Sequence, residues 1–421
     1  MEWRINLEAG EMSDATSVVA DAGNCIGSFV RVASHRTRVA VVSDLREENW
    51  FSMNLVADML VEGLRRDHSE GISVERVCPP MRRRLTRGDV SNGVRFNADR
   101  LINRFHDYPR ALRRMRDDFD LFHIVDHSYS QLVHQLPPER TVVTCHDLDT
   151  FRCLLAPASE PRPTLFRAMT RRVLSGFRKA ARVACDSAAT RDELLKHELI
   201  APERVVVIPN GVHPAFRVAP NAQDDREAAR LLGEPDEHAI DILHVGSTIA
   251  RKRIDVLLRA FAAVREQFPR ARLIRVGGEF NAAQETLVEK LNLRDALVVL
   301  PYLTTGVLAA VYRRAALVVQ PSEREGFGLP LVEALACGTH VVASDLPVHR
   351  EVGGEAATYR AVGDASALAE ACVELLHERA SDAGRWASRR AAGIAQSSRW
   401  MWQAYVAKTV ALYGEVLESC E

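Results

Sequence analysis

Apolar positions along the chain fall into two alternating rhythms. Short β-branched runs bounded by polar turns predict strands at Val39–Ser43, Ile72–Val77, Leu121–Val125, Thr141–Cys145 and Arg182–Cys185. Between them lie stretches whose apolar residues recur at helical spacing, such as Val56, Met59, Leu60 and Leu64. After a polar break at Pro220–Glu237 the alternation resumes, with strands expected at Asp241–Val245, Arg272–Val276, Leu297–Leu300, Leu317–Gln320 and His340–Ala343. The clearest helical period follows the first of these, where Ile254, Leu257, Leu258, Phe261, Val264 and Phe268 line one side. Near the end, Trp402, Val406, Val410, Tyr413 and Leu417 form a stripe on a final helix that needs a partner surface, and the first lobe is the candidate.

Strands alternating with helices predict an α/β protein with parallel sheets. Residues 1–37, without a sustained period, read as a weakly ordered N-terminal extension. Residues 38–210 then form one Rossmann-like lobe, 211–380 a second, and 381–421 the C-terminal helices, with a linker near Pro209–Asp236. A chain of 421 residues has room for two or three cores, which agrees with this division. Open parallel sheets bind ligands beyond the carboxyl ends of their strands. Two such sheets facing a central cleft place the chemistry in strand-to-helix loops.

Composition adds three points. The net charge of −1 gives no global attraction to nucleic acid, but Arg76–Arg116 holds twelve arginines against Asp89, Asp99 and Asp107, so one face of the first lobe should be strongly positive. Such a stretch suits contact with an anionic membrane or a diphosphate-linked acceptor, and a solvated helical face explains it equally well. Eight scattered cysteines without a Cys-x-x-Cys pair fit a reducing cytoplasm, and neither a signal peptide nor a membrane span is expected.

Three loops carry candidate chemistry. In "QPSEREGFGLPLVEALACG", Gly326 and Gly328 flank Phe327 just before a helix that ends near Gly338. Glycines admit a ligand to the backbone, and a helix N-terminus suits a diphosphate. Glu325 and Glu333 would repel phosphates, so their partners should be sugar and ribose hydroxyls. A solvated loop acid and a helix-complementing glutamate account for them as well on the residues alone. In "HVGSTIARKRID", Gly246 and Ser247 follow a strand, and Arg251, Lys252 and Arg253 stand where a helix begins. Cations there oppose the helix dipole, which an anionic ligand would explain, with Lys252 as a point charge and Arg251 as a fork. Exposed basic side chains are the plainer account. In "TVVTCHDLDTFR", His146 and Asp147 should point into the cleft from the first lobe, unless they merely bond one another in a turn. Asp147-Leu-Asp149 and Asp118-Phe-Asp120 match a short metal-binding pattern that a twin-lobe layout argues against. His123 and His127 lie about 13 Å apart if extended, too far to share an ion. Dinucleotide and P-loop fingerprints are absent.

Together "EGFGLPLVEALACGTHVVASD", "HVGSTIARKR" and "VVVIPNGVHPAF" resemble glycosyltransferase family 4, whose members are retaining, sugar-nucleotide-dependent enzymes with the two-lobed GT-B fold. The resemblance runs from about Val39 to the C-terminus, is strongest over Arg204–Glu351, and rests on the Glu-x7-Glu element of Glu325 and Glu333. It implies that Glu333 holds the donor ribose, that Glu325 contacts the donor sugar, and that Lys252 meets the diphosphate with Gly246, Ser247 and Arg251. It further implies that backbone groups of Gly326, Phe327, Gly328 and Leu329 face sugar and phosphates, and that His146 approaches the sugar from the other lobe. Glu325, His146 and Lys252 are thereby the catalytic candidates. No metal and no cofactor beyond a nucleotide-diphosphate sugar is implied. The partners are that donor and a glycan or lipid-linked acceptor in bacterial-type surface polysaccharide or glycolipid synthesis, at a cytoplasmic location peripheral to the inner face of the membrane. A non-catalytic sugar-nucleotide-binding subunit and an epimerase or phosphorylase of the same fold are the alternatives.

Two departures stand out. Many members carry an arginine where this chain has Ser247, and the first loop, "SDLREENWFSMN", has Trp50 and Phe51 where many relatives have a glycine pair.

Overall fold

The computed structural model describes residues 36–87, 93–234 and 240–420. All but the last two residues of the expected N-terminal extension lie outside them, as do Asp89 of the arginine-rich stretch and Pro235–Asp236 of the linker. Two six-stranded parallel sheets form the framework. The first joins β1 (Thr37–Val42), β2 (Ile72–Val77), β3 (Leu121–Ile124), β4 (Thr141–Cys145), β5 (Arg182–Cys185) and β6 (Val205–Val207) in the order β2-β1-β3-β4-β5-β6. The second joins β7 (Ile240–Val245), β8 (Ala271–Val276), β9 (Leu297–Leu300), β10 (Leu317–Gln320), β11 (Val341–Ser344) and β12 (Thr358–Arg360) in the order β12-β11-β10-β7-β8-β9. The chain is thus α/β with two Rossmann-like lobes. Strands such as β1 and β11 are covered on both faces, which is why they read as unbroken apolar runs.

β6 and β12 escape the sequence pattern because each is a three-residue edge strand with every residue only half-buried. The helix Ile254–Gln267 buries the expected Ile254, Leu257, Leu258, Phe261 and Val264, and Phe268 caps its end partly exposed. Strand order reverses between β7 and β10 in the second sheet and between β1 and β3 in the first. A crevice opens at each reversal, because the neighbouring helices leave to opposite faces.

The final helix, Trp402–Glu418, packs on the first lobe rather than on the second that precedes it. Its buried face is Trp402, Tyr405, Val406, Thr409, Leu412, Tyr413 and Val416. The expected stripe drifts off this face because a four-residue step outruns the 3.6-residue turn, leaving Val410 and Leu417 at the margin. Val406 lies against Gly63 of the helix Phe51–Asp67, and the Tyr413 hydroxyl meets His123 Nδ1 at 2.7 Å. The crossings between lobes run side by side: Val212 N–H donates to Trp400 O at 2.9 Å, and Val212 bridges Met401. At Gly211 a Cβ would collide with the Trp402 amide, so the crossing needs glycine.

No described helix is long and apolar enough to cross a membrane. The arginine-rich stretch does not form one solvated face. Arg104 is largely covered, beside Glu48 and over the Tyr129 ring, Arg76 pairs with Asp58, and Arg84 pairs with Asp107 at 2.7 Å. Arg82, Arg83, Arg87, Arg95, Arg110, Arg113, Arg114 and Arg116 remain at the surface.

Candidate functional site

A cavity of about 840 Å³ lies between the lobes, walled by loops from both strand-order reversals. On the second-lobe side the loop after β7 runs Gly246–Arg253 and the loop after β10 runs Pro321–Gly328. Gly328 adopts φ +90°, which turns the chain into the helix Leu329–Ala336, and Arg253 adopts φ +49° at the start of Ile254–Gln267. Lys252 and Arg251 therefore sit in a short 3-10 turn ahead of the helix instead of in its first turn, where the dipole would oppose them.

The two loops meet at a buried ion cluster. Lys252 Nζ lies 2.6 Å from Glu325 Oε1, which also accepts from Ser322 Oγ at 2.7 Å, and Arg251 reaches Glu325 Oε2 at 3.3 Å. Burial alone would raise the Glu325 carboxyl, but Lys252 and then Arg251 outweigh it and hold it at about 2, so it stays ionised. Arg251 continues across the cleft to Asp147 at 3.4 Å and Asp149 at 2.8 Å. The fork expected to face phosphate is occupied by carboxylates of both lobes. Arg324 adds bridges to Asp149 at 3.3 Å and to Glu160 at 3.5 Å.

Glu333 is the opposite case. It lies just over one turn into Leu329–Ala336, faces the cavity, and has no cation beside it among the described residues. Burial lifts its carboxyl to about 7, against a small downward pull from the Tyr312 hydroxyl, which donates to it at 3.0 Å. Phe327 turns its ring into the core, edge-on to Trp400, so only its backbone is offered to the cleft. Gly246, Ser247, Gly326, Gly328 and Leu329 line the cavity. At Gly326 a Cβ would collide with the His146 carbonyl oxygen, and the Gly326 carbonyl accepts from Ser187 Oγ at 2.8 Å.

From the first lobe, His146 lines the cavity with both nitrogens engaged. Nδ1 is 2.6 Å from Asp186 Oδ2 and Nε2 is 2.7 Å from the Val125 carbonyl, so both must donate. Burial opposes the charge, but Asp186 and then Asp126 prevail and raise the ring to about 9. His146 is therefore an imidazolium at neutral pH, unable to act as a base. Asn210 Nδ2 steadies the same Asp186 oxygen at 2.9 Å. Beside it, His127 is buried with neither nitrogen hydrogen-bonded to a described residue, 3.4 Å from Asp126 and 3.9 Å from Asp147. Asp126, His127, Asp186 and Asn210 are cavity residues that sequence reasoning did not select. The signal for the first three was their place just past β3 and β5. Among the described residues no group of three or more His, Cys, Asp or Glu could hold a metal ion.

Two family models match the chain: Glycosyltransferase Family 4 over residues 53–216, and Glycosyl transferases group 1 over residues 225–391. A D-inositol 3-phosphate glycosyltransferase from Actinosynnema mirum is 36% identical over 215 residues, which are 48% of this chain and 50% of that protein. The chain thus spans half of that relative's length. Among solved structures, sucrose-phosphate synthase from Thermosynechococcus elongatus superposes with a TM-score of 0.72 at 22% identity, covering 91% of this chain and 100% of that one. Anabaena HepE in complex with UDP and glucose gives 0.65 at 16% identity, with 90% and 99% covered.

Proposed function

The chain belongs to glycosyltransferase family 4 and has the GT-B fold, and from that premise we propose that it moves a hexosyl group, with retention, from a nucleotide-diphosphate sugar to a glycan or lipid-linked acceptor. The observation that carries the proposal is the meeting of Lys252, Arg251 and Glu325 at the second-lobe reversal point, with Glu333 on the helix that follows and His146 opposite. A diphosphate entering there competes with Glu325 for Lys252 and Arg251, while the Gly328 turn and the helix behind it face the phosphates. Glu333 accepts from the ribose hydroxyls. In the transfer, the bond from the sugar C1 to the phosphate oxygen breaks, the acceptor oxygen bonds to C1 on the same face, and its proton passes to the leaving diphosphate. The His146 imidazolium cannot remove that proton, and Lys252 and Arg251 stabilise the charge that gathers on the leaving group. This route asks nothing of a metal.

Acceptor chemistry is proposed from the first-lobe wall, where Trp50 and Phe51 stand half-exposed at the rim. The surface arginines, with Leu85, Val94 and Ile102 exposed among them, support peripheral contact with an anionic membrane at its cytoplasmic face. HepE's complex with UDP and glucose agrees with a nucleotide-sugar donor.

The test is a thermal-shift panel of UDP, GDP, ADP, dTDP and CMP, with and without EDTA, followed by turnover with the matching sugar donors. A ligand at a hundred times its dissociation constant stabilises by about 2.7 kcal/mol. Glu333→Ala should lose donor affinity, and Glu325→Ala should lose about a hundredfold in rate with donor still bound. Unaltered turnover in both variants would remove the site assignment.

A further inference from the structure

Beneath the β7 loop the second lobe buries a cation that the chemistry above leaves unused. Arg275 on β8 has no exposed surface and forms no ion pair with any described carboxylate. Its guanidinium donates instead to backbone: to the Gly246 carbonyl at 2.9 Å, to the Gly278 carbonyl, and to the Gly277 carbonyl at 3.5 Å. Its Cζ also lies 5.2 Å from the Phe280 ring centroid. His244, its partner in the β7–β8 register, is equally buried, with neither ring nitrogen hydrogen-bonded to a described residue. Burial, then Arg275 and Lys252, hold His244 down at about 3, so it is neutral and Arg275 is the charge of the pair. Burial lowers Arg275 only to about 10, which leaves it protonated.

Burying an unpaired guanidinium is costly, and carbonyl bonds repay only part of the lost hydration. A methionine of similar length would fill the space without that cost. The placement is explained by what lies on the other side of the loop, where Gly246, Ser247 and Val276 line the cavity. With the Gly246 and Gly277 carbonyls turned onto Arg275, their negative ends point away from that wall. Across a layer of glycine and serine, in a medium of low dielectric, the positive charge still acts on an anion in the cavity.

We infer that Arg275 is a positioning residue for the donor diphosphate, fixing the Gly246 loop through its carbonyl and supplying from beneath the positive charge that an arginine in place of Ser247 would supply from above. This rests on the donor-site reading given above. It assigns the phosphates, rather than the base or the sugar, as what Arg275 recognises.

The experiment compares affinities for UDP, UMP and uridine, with the guanosine and adenosine series in parallel, in wild type, Arg275→Gln, Arg275→Lys and Arg275→Gln with Ser247→Arg. Arg275→Gln should weaken the diphosphate at least tenfold and the nucleoside less than twofold. Arg275→Lys, which keeps the charge, should retain most of the preference for diphosphate over nucleoside, and adding Ser247→Arg should restore it to the Gln variant. Equal losses for nucleoside and diphosphate, or loss of the preference in Arg275→Lys, would make the residue a packing element and overturn the inference. Should Arg275→Gln fail to fold, the Lys variant alone decides. Wild type that binds no nucleoside diphosphate removes the donor-site reading and the inference together, whereas wild type that binds one alongside an indifferent Gln variant removes the inference alone.

Discussion

Burial sets Glu333 against its proposed task. Its folded pKa of about 7 lies above the ordinary 4.5, so the stability it contributes is complete below the unfolded value and is lost as pH rises through 7. A carboxylate accepting ribose hydroxyls must be ionised, so nucleoside binding expels a proton. Affinity should therefore climb about tenfold between pH 6 and pH 8 and then level off, as calorimetry at the two values would show. Glu333→Gln should flatten that profile, weaken binding, and raise the melting temperature of the free protein above pH 7, a trade of stability for function. His146 follows the same sign as a cation: raised from 6.5 to about 9, it contributes stability that is complete below 6.5 and is lost as pH rises through 9. A His146→Gln variant should melt with a weaker dependence on pH between 7 and 10. That Lys252, Glu325 and Glu333 would come to the cleft was legible, because each stands at a fixed offset from a strand end and a glycine. His127, Asp186 and Asn210 were not, because their roles depend on which side chain of a distant strand stands opposite, a fact of folded geometry rather than spacing.

Among the elements, the first-lobe helix Ala188–Lys196 shows how one lobe completes the other. Its Ser187 cap accepts from the Thr190 amide, but the amides of Ala188 and Ala189 find their acceptor in Glu351 of the second lobe, at 2.8 and 3.2 Å. Glu351→Ala should cost about 1 to 2 kcal/mol in denaturant unfolding, the range of a lost helix cap, and should loosen the lobe contact at the same time. The final helix offers a second case. Tyr413→Phe leaves His123 Nδ1 buried without a partner, for an expected loss of about 1 to 3 kcal/mol that the same denaturation would measure. Ten of the twelve strands among the described residues were legible, because buried parallel strands write themselves as apolar runs, whereas β6 and β12 are edge strands of three residues each. That the last helix needed a partner was readable from its apolar stripe. The Tyr413–His123 contact joins residues far apart in the sequence and had no local trace.

At the scale of the molecule, charged and aromatic side chains draw the lobes together across the cleft. Arg251 and Arg324 of the second lobe reach Asp147, Asp149 and Glu160 of the first, and Phe51 stacks on Tyr302 across the rim at 4.3 Å between ring centroids. Bridges as exposed as those of Arg324 contribute about 0 to 1 kcal/mol each and weaken in salt. Replacing Arg324 and Tyr302 with alanine should therefore enlarge the radius of gyration of the free protein in solution scattering, with nucleoside affinity little changed. An unaltered radius would mean that the contacts near Gly326 and Glu351 suffice to hold the lobes. The division into two α/β lobes followed from alternation alone, but their relative placement involves ion pairs, backbone contacts and ring contacts across the cleft that no pattern of apolar positions encodes.

The side-by-side crossing at Val212 and Met401 bears on how this chain comes apart. A protease cut in the first connection would yield two fragments, yet the C-terminal one would still carry Trp402–Glu418, anchored in the first lobe by Trp402, Tyr405 and Tyr413. The halves should co-migrate on a sizing column although a denaturing gel resolves them. Neither lobe is a cassette that one boundary can release, so any exchange of lobes between related proteins has to carry the last helix along with the first.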